Sequence, residues 1–285
     1  GLRLAPHTVD RLAEESAPLP VPWPRQARDN LVSLVGAGRW TVGVWEALDQ
    51  ADLISRLIPG WDVVRSAPQR NPVHRFTVDR HLVETAVAAS AHTRKVTRPD
   101  LLLIGALLHD VGKARGGDHT TIGVALMADL GPMLGFDASD TETLVALVRH
   151  HLLLPDTATR KDIDDPAVIS AVAQAVGDRD FLDLLHWLSV SDAIATGPAA
   201  WSPWKGNLME VLVRRTHAVL AGGQPVIEPQ MEDVAGQMWA DTDVVVHCEP
   251  TPDTEVIVTV AAGDAVGLLS RCAGALAVNR LSVRD

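Results

Sequence analysis

His109 and Asp110 close an apolar run from Leu101 to Leu108, and both are costly to bury without a partner. Imidazole beside carboxylate suits a divalent cation of intermediate hardness. Gly112 reads as the helix breaker that brings Lys113 and Arg115 out at the same mouth, and two cations placed there suit an anionic, phosphate-bearing substrate. His81, His119, the pair His150-His151 and Asp192 could complete such a centre. Asp192 lies inside the strongly apolar stretch Phe181 to Ala195, so the burial of its neighbours makes it a candidate ligand.

Three separate helices are expected to carry His81, His109-Asp110 and Asp192, so a bundle can converge them on one cation, with His119, His150 and His151 available to a second. Adjacent histidines cannot share one helical face. Either one of the pair reaches metal while the other meets substrate or a second ion, or the pair sits where the helix unwinds. Two cations would clamp a phosphodiester and generate hydroxide near neutral pH, while Lys113 and Arg115 would neutralise phosphate charge in the transition state. One cation with substrate-binding histidines is the sparer version of the same site.

The elements that must hold these residues are mostly helical. Helices are expected over Thr8 to Glu15, Arg25 to Val35 and Val42 to Ile58, with the proline-rich Pro18 to Pro24 between the first two. Thr77 reads as the N-cap of a helix to about Lys95, and Pro99-Asp100 opens the central helix. Gly116-Gly117-Asp118-His119 is a loop that feeds a helix from Thr120 to Asp129, stopped by Gly131-Pro132. Ser139 to Glu142 fits a capping box for a helix ending at Arg149-His150-His151. Further helices are expected from Asp165-Pro166 to Val176, from Phe181 to Ala195 and from Trp201 to Leu220, before a linker at Gly222 to Pro225. The period then changes: Val244 to Val246 and Glu255 to Val260 read as strands, Val266 to Ala277 as a helix and Leu281 to Val283 as a beginning strand. The expected class is mainly α: a helical bundle followed by a small, incomplete α/β unit. Residues 1–70 are expected to form a helical linker region, 71–222 the domain that carries the polar cluster and 223–285 the strands and helix of the second unit. The chain reads as a piece of a longer protein.

Composition narrows the classes. With 25 basic and 36 acidic residues, a net charge of -11, and no long basic block, a nucleic-acid-binding face is not expected. No apolar run approaches a membrane span and no signal core follows the N-terminus, so no membrane partner and a cytoplasmic location are expected. Cys248 and Cys272 are too few, and too far from the polar cluster, for a disulfide framework or a thiolate metal site.

His81, His109-Asp110 and Asp192 in this order resemble the signature of the HD superfamily of metal-dependent phosphohydrolases, and His119 and His150-His151 resemble the added ligands of its binuclear members. More narrowly, Phe76 to His81, His109 to His119, Arg149 to Leu152, Ser191 to Thr196 and Trp201 to Lys205 are similar to the central domain of the bifunctional enzymes that add uridylyl groups to the nitrogen signal protein PII and remove them. Asp264 to Ser270 resembles the strand-to-helix turn of an ACT domain, departing at Ala265-Val266 where an Arg-Pro pair is common. The resemblance implies removal of UMP, or of AMP as in actinobacterial relatives, from a tyrosine of nucleotidylated PII. It further implies Mn2+ or Mg2+, with Fe or Zn as alternatives, Asp118 and Lys205 as substrate-binding residues beside Lys113 and Arg115, and glutamine as an effector. The Gly-Ser motif and paired aspartates of the transferase are not found, so only the hydrolytic half is expected. A hydrolase of free nucleotides shares the metal ligands, and a non-catalytic PII-binding, glutamine-sensing segment is the rival from another class. A cyclic-dinucleotide phosphodiesterase would carry Gly-Tyr-Pro after its His-His, where Leu152 to Pro155 stands here.

Overall fold

The computed structural model describes residues 4–69, 71, 73–223, 244–250, 256–262, 268–279 and 281. The chain divides into two compact units, Gly1–Val226 and Ile227–Asp285. In the first, the helices are α1 (Pro6–Glu15), α2 (Arg25–Val35), α3 (Trp40–Gln50), α4 (Leu53–Leu57), α5 (Trp61–Val64), α6 (Val78–Ser90), α7 (Pro99–Leu108), α8 (His119–Met133), α9 (Ala138–His150), α10 (Leu153–Arg160), α11 (Pro166–Val176), α12 (Arg179–Thr196) and α13 (Pro203–Leu220). A 3-10 turn at Thr93–Lys95 follows α6.

The first unit is organised around α7, whose residues Leu101 to Leu108 are all buried. A helix that is apolar on every side must be surrounded; α6, α9 and α12 pack on it, and α12 also lies along α6. Gly105 lets α9 approach, since a Cβ there would stand 2.8 Å from Leu147 Cδ1. Aspartates begin four of the helices: Asp118, Asp137, Asp165 and Asp178 each accept a backbone N–H of the first turn, which satisfies a donor that the helix itself cannot pair.

Several expected boundaries differ. The helix expected over Val42 to Ile58 is two, α3 and α4, divided where Asp52 adopts φ 57° in the left-handed region that short polar side chains tolerate. Thr77 occupies the N-cap position of α6 but makes no side-chain cap bond, and α6 stops at Ser90 rather than Lys95. Gly131-Pro132 does not stop α8, which runs to Met133. Gly131 instead makes room for Thr141, whose side-chain atoms would lie 2.7 Å from a Cβ, and Trp23 N–H takes up the Met133 carbonyl at 2.8 Å. The cap of α9 is Asp137, accepting from Asp140 N, and not the Ser139 box. No helix is expected from the sequence over Leu153–Arg160; Pro155 sits in the first turn of α10, where a missing N–H costs nothing.

In the second unit, β1 (Val244–Pro250) pairs antiparallel with β2 (Val256–Ala262), Val246 opposite Val260, and α14 (Leu268–Val278) follows. Most of the strand expected at Leu281 to Val283 and most of the ACT-like turn at Asp264 to Ser270 lie outside the described residues. No described helix is long and apolar enough to cross a membrane.

Candidate metal centre

The centre forms where α6, the end of α7, the start of α8, the end of α9 and α12 meet. Asp110 is its hub, only 3% exposed. Its Oδ2 lies 3.4 Å from His109 Nε2 and 3.8 Å from His81 Nε2, while its Oδ1 lies 3.7 Å from both His119 Nε2 and His151 Nε2. Asp192 Oδ1 adds a second carboxylate to the first side, 3.0 Å from His81 Nε2 and 3.6 Å from His109 Nε2. Two triads, His81-His109-Asp110 and Asp110-His119-His151, could therefore each hold a metal ion and share one carboxylate.

The orientation of the imidazoles is fixed from behind. His109 Nδ1 lies 3.0 Å from the Ala106 carbonyl and His151 Nδ1 2.7 Å from the Val148 carbonyl, so each Nδ1–H donates backward and each Nε2 faces Asp110. The buried atoms His81 Nε2, His109 Nε2 and Asp110 Oδ1 have no hydrogen-bond partner. Buried polar atoms seldom stay unpaired, and cations in the two triads would satisfy all three. Electrostatics agree. Burial works to discharge His109, yet the carboxylates of Asp110 and Asp192 override it and raise its pKa to about 10. Burial would likewise raise the Asp110 carboxyl, but His109, Lys113 and His151 hold it well below the usual range.

Gly112 is essential to this geometry through space and not through a special φ. A Cβ at Gly112 would sit 2.1 Å from the His119 carbonyl oxygen and 2.5 Å from Gly123 N, so the Asp110 turn can touch the start of α8 only because no side chain intervenes. This contact delivers His119 to Asp110. The helix-breaking role expected for Gly112 is thus a close-packing role. Lys113, just beyond, places Nζ 2.5 Å from Asp110 Oδ2 and 2.9 Å from Gln69 Oε1.

Other expected site residues fall elsewhere. His150 turns away from its neighbour and meets Phe181 edge-on, with ring centroids 6.3 Å apart, because one residue along α9 rotates the side chain off the inward face. Arg115 donates to the Gly60 carbonyl at 2.6 Å and to the Val111 carbonyl at 3.3 Å, so it ties the loop to α5 and does not reach the metal-facing carboxylates. Asp118 uses its carboxylate to cap α8 through Thr121 N at 2.8 Å. Lys205 borders the cavity and donates to the carbonyls of Ala199 and Ala200 at 3.0 and 3.4 Å.

The centre opens into a cavity of about 1180 Å³, bordered by Asp110, Lys113, His119, His151 and Asp192. Two of its residues, Gln69 and His74, were not identified from the sequence. His74 meets His81 edge-on at 5.7 Å, and burial, followed by the nearby Lys113 charge, lowers its pKa. Both lie in an irregular turn without periodicity, and the one available signal was the presence of polar side chains just before a ligand-bearing helix.

A buried set of imidazoles and carboxylates in a helical bundle, open to a cavity, could hold divalent metal, and residues 78–196 match the HD domain family. Across its whole length the chain is 47% identical to the bifunctional uridylyltransferase/uridylyl-removing enzyme of Streptomyces coelicolor and spans 39% of that relative. It is 46% identical to the enzyme of the same name from Mycobacterium tuberculosis, spanning 35% of it. The Corynebacterium glutamicum enzyme of that name is 32% identical over 81% of the chain, which covers 34% of that protein.

Proposed function

We propose that the chain carries the hydrolytic half of such an enzyme: cleavage of the phosphodiester between a nucleoside 5′-monophosphate and a tyrosine hydroxyl of PII, releasing UMP or AMP and the free tyrosine. The shared Asp110 carboxylate carries this reading, because it sets two groups of nitrogen donors back to back as a two-ion phosphodiesterase requires. Donors of this mixed nitrogen and oxygen character suit Mn2+, Fe2+ or Zn2+, and suit all-oxygen-seeking Mg2+ less well. His81, His109 and Asp192 with Asp110 would hold one ion, and His119 and His151 with Asp110 the other. When bound, such ions supply a hydroxide nucleophile near neutral pH and neutralise phosphate charge.

The chain's own groups do the remainder. Lys113 stands beside the Asp110 carboxylate with its ammonium held by Gln69, poised to take a phosphoryl oxygen as negative charge develops there. Bonds from the Nδ1 atoms of His109 and His151 to the Ala106 and Val148 carbonyls hold those two rings in place, so binding requires His109 to lose its Nε2 proton but neither ring to turn. The cavity admits both the nucleotidyl group and the side chain that bears it. We assign residues 1–70 to a helical linker, 71–222 to the hydrolase domain and 223–285 to an ACT-like unit, a reading supported by the division near residue 226 and the antiparallel hairpin followed by a helix. Glutamine is the effector that this unit would sense. No membrane or nucleic-acid partner enters the proposal.

Elemental analysis combined with incubation on nucleotidylated PII tests it. Bound divalent metal and EDTA-sensitive release of UMP or AMP are expected. Release from free nucleotides alone would reassign the substrate, and a metal-free protein that stays inert with added Mn2+ would overturn the assignment.

A further inference from the structure

The Trp201 to Lys205 stretch holds two tryptophans with opposite fates. Trp204 is 52% exposed, whereas Trp201 is partly buried and borders the cavity that begins at Asp110. Among the described residues lining that cavity, the other aromatic rings are the imidazoles of His74, His119 and His151, so Trp201 presents its one large apolar ring.

Its position is built. The benzo ring lies against the buried Gly206, where a Cβ would come within 3.0 Å of Cζ2 and 3.2 Å of Cη2. The loop before it is pinned: Ala200 and Trp201 donate their N–H groups to the Gly197 carbonyl at 2.9 and 3.2 Å. Lys205 holds the Ala199 and Ala200 carbonyls, and Ser202 caps α13 through Lys205 N at 3.3 Å. An indole immobilised before the ligand arrives loses little freedom on stacking. The buried Met209 borders the same cavity and continues the apolar surface.

Resting on the function proposed above, we infer that Trp201 is the platform on which the nucleobase of a nucleoside 5′-monophosphoryl group stacks, in the same cavity as the metal-facing Asp110 and the phosphate-facing Lys113. A ribose and phosphate alone leave much of a cavity of about 1180 Å³ unused. Stacking on an indole accepts purine and pyrimidine alike, so this platform separates nucleotidyl esters from simple phosphodiesters without choosing uracil over adenine.

The test is equilibrium binding of UMP, AMP and ribose 5-phosphate to the Mn2+-loaded chain. Trp201→Ala should weaken UMP and AMP by about 10- to 100-fold while ribose 5-phosphate moves by less than about twofold, and Trp201→Phe, which keeps an aromatic face, should restore most of the nucleotide affinity. Equal weakening of all three ligands, unchanged nucleotide binding in Trp201→Ala, or wild-type protein binding ribose 5-phosphate as tightly as UMP overturns the assignment. The hydrolysis assay on PII is independent of this readout: its failure with an intact base effect removes the proposed substrate and leaves the platform.

Discussion

Two groups of histidines lie in the first unit, and they are opposites. Around Asp110, imidazole Nε2 atoms converge on carboxylates, and the Nδ1 atoms of His109 and His151 are anchored to backbone carbonyls. Around Trp187, His92 stacks on the indole at 4.3 Å, His186 lies against it at 4.6 Å and Lys95 Nζ sits 3.9 Å over the ring. The nearby Asp183 is taken by His217 at 2.8 Å. Burial, followed by the neighbouring charges of His217, His92 and Lys95, pushes His186 down to about 4, whereas His109, more deeply buried still, is pushed up to about 10. The number of histidines therefore does not make a metal site. The carboxylate facing each imidazole does: it makes the buried position attract a cation in one cluster, and its lack makes the other repel one.

The sharpest way to break this comparison is Asp110→Ala, which removes the shared carboxylate. Metal content should fall to near zero and hydrolysis by on the order of 10³-fold or more, with helical circular dichroism retained; measurable turnover at bound-metal levels like wild type would contradict the hub role. Lys113→Ala comes next. Metal content should stay unchanged while kcat drops about 100-fold, and a normal kcat would take Lys113 out of the reaction. His119→Ala strikes the more open triad, since the His119 side chain is 33% exposed while those of His81 and His109 are at most 1%. It should lose about one of two metal equivalents and slow turnover by about 10- to 100-fold; loss of both ions would mean that the triads are not separable.

The smallest effect concerns the other cluster. His186 has a folded pKa of about 4, below its ordinary 6.5, so the unfolded chain binds more protons between these values. Stability should then rise with pH across that window and be lost as pH falls through it. In urea titrations of the metal-free protein, His186→Phe should flatten the pH 5 to 7 difference by about 1–2 kcal/mol; an unaltered slope would place the titration elsewhere.

Much of the centre was legible because its residue types sit at the ends of apolar helices, where burial forces a partner on them. His81, His109, Asp110, His119, His151 and Asp192 are brought together in the structure. The choice of His151 over His150 was not legible, since it depends on how α9 is rotated against α7. Arg115 and Asp118 went to structural duties for a similar reason: a sequence shows a charge but not the carbonyl or helix end that claims it. Gln69 and His74 were missed because turns have no period to read. Helix ends were misplaced where a tertiary contact overrode local preference, as when Thr141 and Trp23 stabilise the last turn of α8 across Gly131-Pro132.

The clasp between Arg115 and Gly60 gives the early helices more than a supporting part. The guanidinium grips a carbonyl at the start of α5 at 2.6 Å, two residues past Lys113, while Gln69 holds Lys113 from the same stretch of chain. A fragment trimmed to begin at residue 78 would sever both grips and leave the loop bearing Lys113 to drift. Any displacement of Gly60 by an ångström must stretch that bond or drag the loop with it, so strain applied upstream has a direct mechanical line to the ammonium beside Asp110.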